Sequence, residues 1–174
     1  YLLANHNGVF KDSAAHAGIS HAGRDLFALF ADYDNDGYQD LFVLNTLANR
    51  LYHNSGNGAF RDVTAVSGIQ TSSSGRAAVF ADLDLEGDLD LFIATSSQNR
   101  LYRNNSDGTF IEIAGEVGIS GGEFISRAAG FGDFDDDGDI DLIVVNQDAG
   151  IQYYDNLRQS YFQDITEHSG LEME

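Results

Sequence analysis

The feature that most constrains this chain is an acidic loop that occurs three times, about 50 residues apart. Acidic side chains occupy most alternate positions of each loop, and a glycine occupies the sixth position. The loops are Asp32-Tyr-Asp34-Asn-Asp36-Gly37-Tyr38-Gln-Asp40, Asp82-Leu-Asp84-Leu-Glu86-Gly87-Asp88-Leu-Asp90 and Asp133-Phe-Asp135-Asp-Asp137-Gly138-Asp139-Ile-Asp141. Carboxylates this close repel one another unless a cation lies between them, and oxygen ligands select a hard cation. We therefore interpret the loops as three Ca²⁺ sites.

The spacing predicts how each loop would surround its ion. Positions 1, 3 and 5 offer side-chain oxygens, position 6 provides a sharp turn, position 7 offers a main-chain carbonyl and position 9 adds an acid. The first half of an EF-hand loop has the same spacing, but an EF-hand also needs glutamate at position 12 and a helix on each side. Position 12 here is Val43, Ile93 or Val144, so the EF-hand is excluded.

The segments around the loops predict β-strands. Each loop is followed by an apolar run rich in β-branched and aromatic residues, which is typical of a buried strand. The second repeat offers four strands, at residues 77–81, 89–95, 100–104 and 110–113. Residues 25–31 are predicted as a strand rather than a helix, and residues 64–67 as a single helical turn. Four antiparallel strands in this order form one blade of a β-propeller, so we predict an all-β fold built from such blades.

The repeats divide the chain into four units. Residues 1–22 are predicted to be the second half of a preceding blade with its linker; full blades follow at 23–72 with calcium loop 32–40, at 73–123 with loop 82–90, and at 124–174 with loop 133–141. Three blades and a half do not close a ring. We therefore expect the chain to belong to a larger propeller, or to complete one with blades of another chain.

The acidic composition excludes several classes of partner. The formal net charge is −19, and 15 of the 28 acidic residues lie inside the loops. Three bound Ca²⁺ ions would bring the net charge to about −13. Because there are nine Lys and Arg residues, we expect neither nucleic acid nor an anionic membrane as a partner, and no apolar run is long enough for membrane insertion. The chain has no cysteine and five scattered histidines, so we expect no disulfide and no zinc site.

The chain resembles the FG-GAP and VCBS repeats in several motifs that recur together. In the second repeat these are Phe80-Ala81-Asp82, Gly87, Asp90-Leu-Phe-Ile, Asn99-Arg100-Leu101-Tyr102, Asp107-Gly108-Thr-Phe110 and Val117-Gly118-Ile119. It is most similar to the subgroup found in ASPIC/UnbV proteins and cartilage acidic proteins. More distantly, it is similar to the calcium-binding blades of integrin α subunits and of some fungal lectins. The resemblance covers the whole chain and implies a calcium-stabilised β-propeller, usually seven-bladed and usually outside the cytoplasm.

The resemblance also implies the calcium ligands. For the first loop they are Asp32, Asp34, Asp36, the carbonyl of Tyr38, and Asp40. For the third they are Asp133, Asp135, Asp137, the carbonyl of Asp139, and Asp141. The second loop offers Asp82, Asp84, Glu86, the carbonyl of Asp88, and Asp90. Glu86 stands where Asp or Asn is usual, so we expect the second site to be looser.

These features predict a rigid binding or adhesion scaffold, secreted or on the cell surface, with structural calcium. No Ser-His-Asp spacing, phosphate loop or cysteine nucleophile is present, so we expect no enzyme. The expected partners are other blades and a protein or glycan ligand. The alternatives are a lectin, a self-assembling filament subunit and a calcium-dependent polysaccharide lyase. Residues Asn104-Asn-Ser106 match an N-glycosylation sequon, which has meaning only in a eukaryotic secretory protein.

Overall fold

A computed structural model describes residues 1–71, 75–122, 124–158 and 161–171 of the chain. These residues form one two-stranded and three four-stranded sheets. The two-stranded sheet contains β1 (Leu3–His6) and β2 (Val9–Asp12). Sheet 1 contains β3 (Asp25–Ala31), β4 (Asp40–Asn45), β5 (Arg50–Asn54) and β6 (Phe60–Asp62). Sheet 2 contains β7 (Gly75–Ala81), β8 (Asp90–Thr95), β9 (Arg100–Asn104) and β10 (Phe110–Glu112). Sheet 3 contains β11 (Ser126–Gly132), β12 (Asp141–Asn146), β13 (Ile151–Asn156) and β14 (Phe162–Asp164).

Each four-stranded sheet is an antiparallel meander in which consecutive strands are neighbours. This arrangement confirms the predicted all-β fold of four-stranded blades. The segment at residues 25–31 is a strand, as predicted, and Thr64–Ser67 forms one helical turn (α1) after sheet 1. A 3₁₀ turn, Thr166–His168, follows sheet 3 at the corresponding place.

The second strand of a sheet is buried where neighbouring segments cover both of its faces: sheets 1 and 3 cover sheet 2, whereas Ile19 packs on the outer face of sheet 1. All six residues of β4 and all six of β8 are buried, which explains the four consecutive apolar residues between the first aspartate and the polar last residue of each strand. In β12, by contrast, Val145 is 39% exposed. The described part of the chain therefore leaves one face of sheet 3 uncovered.

The two main cores lie between successive sheets, and they repeat the same contacts. Phe42 of β4 meets Phe80 of β7 edge-on, with ring centroids 6.3 Å apart and planes at 81°. Phe92 of β8 meets Phe131 of β11 in the same way, at 5.9 Å and 87°. Edge-on aromatic pairs add to the stabilisation from apolar burial. Equivalent residues of the repeats thus stack each sheet on the next.

The boundaries predicted for the units lie partly outside the described residues. Residues 72, 73, 123 and 174, on which those boundaries fall, are among the residues that the structure does not describe. The unit boundaries and the larger ring therefore stay predictions. None of the helices in the described part of the chain has the length and apolar character needed to cross a bilayer.

Candidate metal centres

The aspartate at position 1 folds each acidic loop around itself. In loop 1 (residues 32–40), Asp32 accepts hydrogen bonds from the amides of Asp36 at 3.0 Å and Gly37 at 2.9 Å. In loop 3 (residues 133–141), Asp133 accepts the equivalent pair, each at 3.1 Å. In loop 2 (residues 82–90), Asp82 accepts from Gly87 at 3.0 Å. The first carboxylate therefore holds the turn closed and places the later acids near one another.

Two residues of each loop have left-handed backbone angles, and this is what makes the turn so sharp. Position 6 is glycine in every loop, with φ between 88° and 94°. Position 4 is Asn35, Leu85 or Asp136, with φ of 57°, 61° and 63°. Asn and Asp tolerate this region, whereas a leucine is strained there because its Cβ crowds the following carbonyl. Loop 2 is therefore the strained member of the three.

This strain predicts that Leu85→Asn stabilises the protein. Asn relieves the left-handed backbone by about 1 kcal/mol, which corresponds to a rise in melting temperature of about 2–4 °C for a domain of this size. Leu47→Asn is the control, because Leu47 is similarly exposed but has no positive φ. Thermal melts of both variants check the prediction. An equal rise in melting temperature in both variants would mean that the loss of an exposed apolar side chain, and not relief of backbone strain, stabilises the protein.

The aspartate at position 9 anchors each loop to the sheet. Asp40, Asp90 and Asp141 are each at most 1% exposed and begin the second strand of their sheet. Each accepts a hydrogen bond from the amide of the asparagine that ends the third strand, at 2.7 Å, 2.9 Å and 2.9 Å respectively. The last acid of the loop thus joins three segments: the loop, the second strand and the third strand.

Burial changes the acidity of two of these anchors. The pKa of Asp40 is raised to about 6, chiefly by burial and further by Asp34. The pKa of Asp90 is raised to about 7, again chiefly by burial, with Asp84 and Asp88 adding to the effect. Both shifts mean that the negative charge is unfavourable there without a cation.

The two shifts predict that the metal-free protein loses stability as pH rises. A carboxyl with a raised folded pKa stabilises the fold fully below its unfolded pKa, here 3.8, and that stabilisation is lost as pH rises through the folded value. Between pH 6 and pH 7, Asp90 alone accounts for up to about 1.4 kcal/mol, or about 3–6 °C of melting temperature. Thermal melts at pH 6 and pH 7, on protein from which metal ions have been removed with a chelating resin, test this loss of stability. The melting temperature of the Asp90→Asn variant should fall less over this pH range than that of the wild-type protein. An equal fall in the two proteins would show that groups other than Asp90 cause the pH dependence.

The carboxylates of loops 1 and 3 converge as a cation site requires. In loop 1, oxygens of Asp32, Asp34 and Asp40 lie within 4.8 Å of one another. In loop 3, oxygens of Asp133, Asp135 and Asp141 do the same. Oxygen-only groups of this kind fit Ca²⁺, which takes six to eight oxygen ligands. The residues present in these two loops therefore fit the predicted ion.

Loop 2 differs from the other two. Within the described residues, no trio of loop 2 carboxylates meets the same distance, and Glu86 is exposed. The side chain of Asp88 is buried and accepts a hydrogen bond from the Ser106 hydroxyl. Two buried oxygens, Asp82 Oδ1 and Asp90 Oδ2, have no hydrogen-bond partner of good geometry among the described residues, and a bound cation would satisfy both. Loop 2 is thus less closely assembled than loops 1 and 3, and both its ion and its affinity stay predictions.

The remaining predicted ligands lie at the edges of these groups. Asp36 and Asp137 each join a second group, with Asp34 and with Asp135 respectively. The side chain of Asp139 lies 3.5 Å from Arg158 Nε. Tyr38 is 48% exposed, and the ligand predicted for this position is its main-chain carbonyl.

Two residues near the loops were missed by sequence reasoning. His53 on β5 approaches loop 1, with its Nδ1 3.0 Å from Asp34 Oδ2. Asp155 on β13 approaches loop 3, where it groups with Asp135 and Asp137. The pKa of Asp155 is raised by burial and by Asp141 and Asp135. The signal available in the sequence was their shared place, immediately before the asparagine that ends the third strand.

Those terminal asparagines connect the loops of successive sheets. Asn104 Nδ2 donates to Leu89 O of its own sheet at 3.1 Å and to Tyr33 O of loop 1 at 2.7 Å. Asn156 Nδ2 repeats the pattern, donating to Ile140 O and to Leu83 O of loop 2, both at 3.0 Å. Asn104 is 6% exposed, so the folded chain does not offer the nitrogen of its sequon for glycosylation. The loops therefore form a connected row rather than isolated sites.

Comparisons with known proteins agree with this architecture. The fold is that of β-propeller blades, and the chain belongs to the FG-GAP-like repeat family, whose sequence profile matches residues 32–93 and 82–144. Among solved structures it is similar to a lectin from Agrocybe aegerita, described as specifically recognising non-reducing terminal N-acetylglucosamine. That match has 21% identity and a TM-score of 0.52, and it covers 79% of this chain and 37% of the lectin chain. No match to the chain is found among curated protein sequences.

Proposed function

We propose that this chain is a calcium-stabilised β-propeller segment that acts as a rigid binding and adhesion scaffold outside the cell. The observation that carries the proposal is the convergence of carboxylate oxygens within 4.8 Å in loops 1 and 3. Such groups repel one another at neutral pH, and a hard divalent cation removes the repulsion.

Calcium would act here as a cross-link and not as a catalyst. Each loop leaves the first strand of its sheet, and its ninth residue begins the second strand. An ion held by the loop therefore fixes the angle between two strands. Because Asn104 and Asn156 bind the loop of the preceding sheet, fixing one loop also supports the next. The ion supplies charge neutralisation, while the chain's own residues close the turn and orient the ligands.

In this proposal, the calcium loops also account for the location of the protein outside the cell and for its lack of enzymatic activity. Structural sites of modest affinity remain filled only where Ca²⁺ is abundant, as it is outside the cell. The acids that general acid–base chemistry would need are used as ligands instead. We therefore propose a secreted or cell-surface protein without enzymatic activity, whose partners are further blades and a protein or glycan ligand.

Calorimetric titration with Ca²⁺ tests the proposal. We expect three equivalents to bind, and each of the variants Asp34→Ala, Asp84→Ala and Asp135→Ala to lose one of them. Loop 2 should be the weakest site, because Glu86 is exposed and the loop 2 carboxylates are less closely assembled. Three equivalents retained in the Asp34→Ala and Asp135→Ala variants would contradict the proposal.

A glycan ligand is the second candidate, because a groove between sheets 1 and 2 has a suitable lining. The groove encloses about 570 Å³ and is lined by Phe30 and Phe80 beside the amides of Asn35 and Gln39. Phe30 is 51% exposed, and an exposed ring next to hydrogen-bonding groups suits a sugar face. The similar fungal lectin makes terminal N-acetylglucosamine the first glycan to test on an array. Glycan binding by the wild-type protein that is lost in the Phe30→Ala variant would support this candidate. If the protein binds no glycan on the array, a protein ligand is favoured.

A further inference from the structure

The chain contains two Asn-Gly pairs, Asn7-Gly8 and Asn57-Gly58. Asparagine is a chemically labile residue, and a following glycine has no Cβ to shield its main-chain nitrogen from the asparagine side chain. Both pairs are exposed and lie in β-hairpin turns, the first between β1 and β2 and the second between β5 and β6. The two pairs are alike in sequence, so their surroundings decide how readily each one reacts.

The turn at Asn7-Gly8 holds the glycine nitrogen in a hydrogen bond. Asn7 and Gly8 have φ angles of 55° and 88° and connect the paired residues His6 and Val9. The amide of Gly8 donates to Asn5 Oδ1 at 2.8 Å. This nitrogen must lose its proton before it can attack the Asn7 side chain, and a bonded proton is lost less readily. The fold therefore protects the first pair.

The turn at Asn57-Gly58 has the opposite arrangement. Asn57 Oδ1 accepts a hydrogen bond from the amide of Ala59 at 3.0 Å, which folds the side chain back over the intervening amide of Gly58. The same bond draws electron density from the side-chain carbonyl carbon. Among the described residues, no hydrogen bond from the Gly58 amide is found. Apart from its chain neighbours, no atom lies within 4 Å of a Cβ added to Gly58. The nitrogen, the carbon that it would attack and the space for the reaction are thus all available.

We infer that Asn57 is a covalent modification site, which deamidates through a succinimide in the folded protein while Asn7 is protected. The deprotonated main-chain nitrogen of Gly58 bonds to Cγ of Asn57, the bond from Cγ to the side-chain nitrogen breaks, and ammonia leaves with the proton. Water then opens the succinimide ring, adding its hydroxyl to a carbonyl carbon and its proton to the nitrogen. Opening at Cγ gives aspartate, whereas opening at the main-chain carbonyl gives isoaspartate, whose main chain runs through Cβ and Cγ.

Sheet 2 shows that the turn accepts the aspartate product. Asp107 occupies the place of Asn57, and its Oδ1 accepts from the amide of Thr109 at 3.0 Å, as Asn57 Oδ1 does from Ala59. A main-chain hydrogen bond of 2.9 Å closes both turns. Isoaspartate differs, because it adds one carbon to the main chain and has no counterpart in the repeats. Of the two products, isoaspartate is therefore the one that distorts the turn.

The reactive turn packs against loop 1. A Cβ added to Gly56 would lie 2.5 Å from Tyr38 Cζ, so the tyrosine ring lies directly against this glycine. The equivalent residue of sheet 2, Ser106, donates its hydroxyl to Asp88 of loop 2. In both sheets the turn thus touches the seventh residue of the loop, whose carbonyl is a predicted calcium ligand. Isoaspartate in this turn displaces Gly56 and weakens calcium binding by loop 1, a consequence that rests on the proposed function.

Mass spectrometry of the folded protein, incubated at mildly alkaline pH, tests the modification without any metal. Peptides containing Asn57 should gain the mass difference between an amide and an acid at least about fivefold faster than peptides containing Asn7, the factor that one hydrogen bond is worth in an equilibrium. In guanidinium chloride, where neither turn is formed, the two rates should become nearly equal. Equal rates in the folded protein, or a faster rate at Asn7, would overturn the inference.

Asn5→Ala is the matched variant for the protective hydrogen bond. It removes the acceptor of the Gly8 amide, so the rate at Asn7 should rise toward the rate at Asn57. The rate at Asn57 should stay unchanged, because that turn lies in another sheet. An unchanged rate at Asn7 would contradict the protection assigned to this bond.

Calcium titration of the separated products tests the consequence for loop 1. The isoaspartate form should bind Ca²⁺ at loop 1 about tenfold more weakly, an effect typical of losing groups that support metal ligands. The aspartate form and the Asn57→Asp variant should bind Ca²⁺ as the unmodified protein does. Equal affinity of the isoaspartate and aspartate forms would overturn the effect on loop 1 and keep the modification. An unmodified protein that binds no Ca²⁺ would overturn the proposed function alone, because the deamidation rates are measured without the ion.

Discussion

Removing calcium with EDTA is expected to lower the melting temperature of this protein by about 15–30 °C. A ligand present at 100 times its dissociation constant stabilises the folded state by about 2.7 kcal/mol, so three such sites contribute about 8 kcal/mol. For a domain of this size, 1 kcal/mol corresponds to about 2–4 °C. The physical source of the effect is the repulsion among carboxylates that lie within 4.8 Å of one another in loops 1 and 3. Thermal melts in EDTA and in excess Ca²⁺ measure it directly.

Magnesium provides the control for this experiment. Mg²⁺ has the same charge as Ca²⁺ but demands near-ideal octahedral geometry at shorter distances and gives up its water reluctantly. Readdition of Ca²⁺ should therefore restore the melting temperature, while Mg²⁺ at the same concentration restores much less. Equal recovery with both ions would reduce the effect to general charge screening. A melt unaffected by EDTA would mean that the loops have no structural ion.

Most of the fold could be predicted because its signals are local. The sharp turn at Gly37, the acids that alternate before it and the apolar run after it lie within about a dozen residues. Three copies of that pattern gave the period and therefore the repeated four-stranded sheets. The strands that flank loop 2 begin within two residues of their predicted starts, at Gly75 and Asp90.

The candidate sites were less predictable where they depend on contacts between strands. His53 and Asp155 follow their loops by more than a dozen residues, and the register of a neighbouring strand alone brings them to the carboxylates. The residues after Asn104 match a glycosylation sequon, yet the side chain of Asn104 is buried and donates a hydrogen bond to loop 1. Local pattern determines the loop itself, whereas packing determines what surrounds it.

The contacts of Asn104 predict the second large effect, a loss of about 3 kcal/mol in Asn104→Ala. The substitution removes hydrogen bonds to Tyr33 O at 2.7 Å and Leu89 O at 3.1 Å. It also removes the bond that the side-chain oxygen Oδ1 of Asn104 accepts from the main-chain amide of Ser106 at 3.0 Å. A buried polar group left without a partner costs about 1–3 kcal/mol, and Tyr33 is itself buried. The melting temperature should therefore fall by about 6–12 °C.

The repeat provides a matched control for this prediction at Asn54. Asn54 occupies the same place in sheet 1 and donates to Gln39 O of its own loop at 2.9 Å, and no bond from its side chain to another sheet is found among the described residues. Asn54→Ala thus removes the bond within the sheet and keeps every bond between sheets. Because the extra loss in Asn104→Ala measures the connection between loop 1 and sheet 2, it should also lower the Ca²⁺ affinity of loop 1. Equal losses of stability in the two variants would contradict that connection and leave each loop as an independent unit.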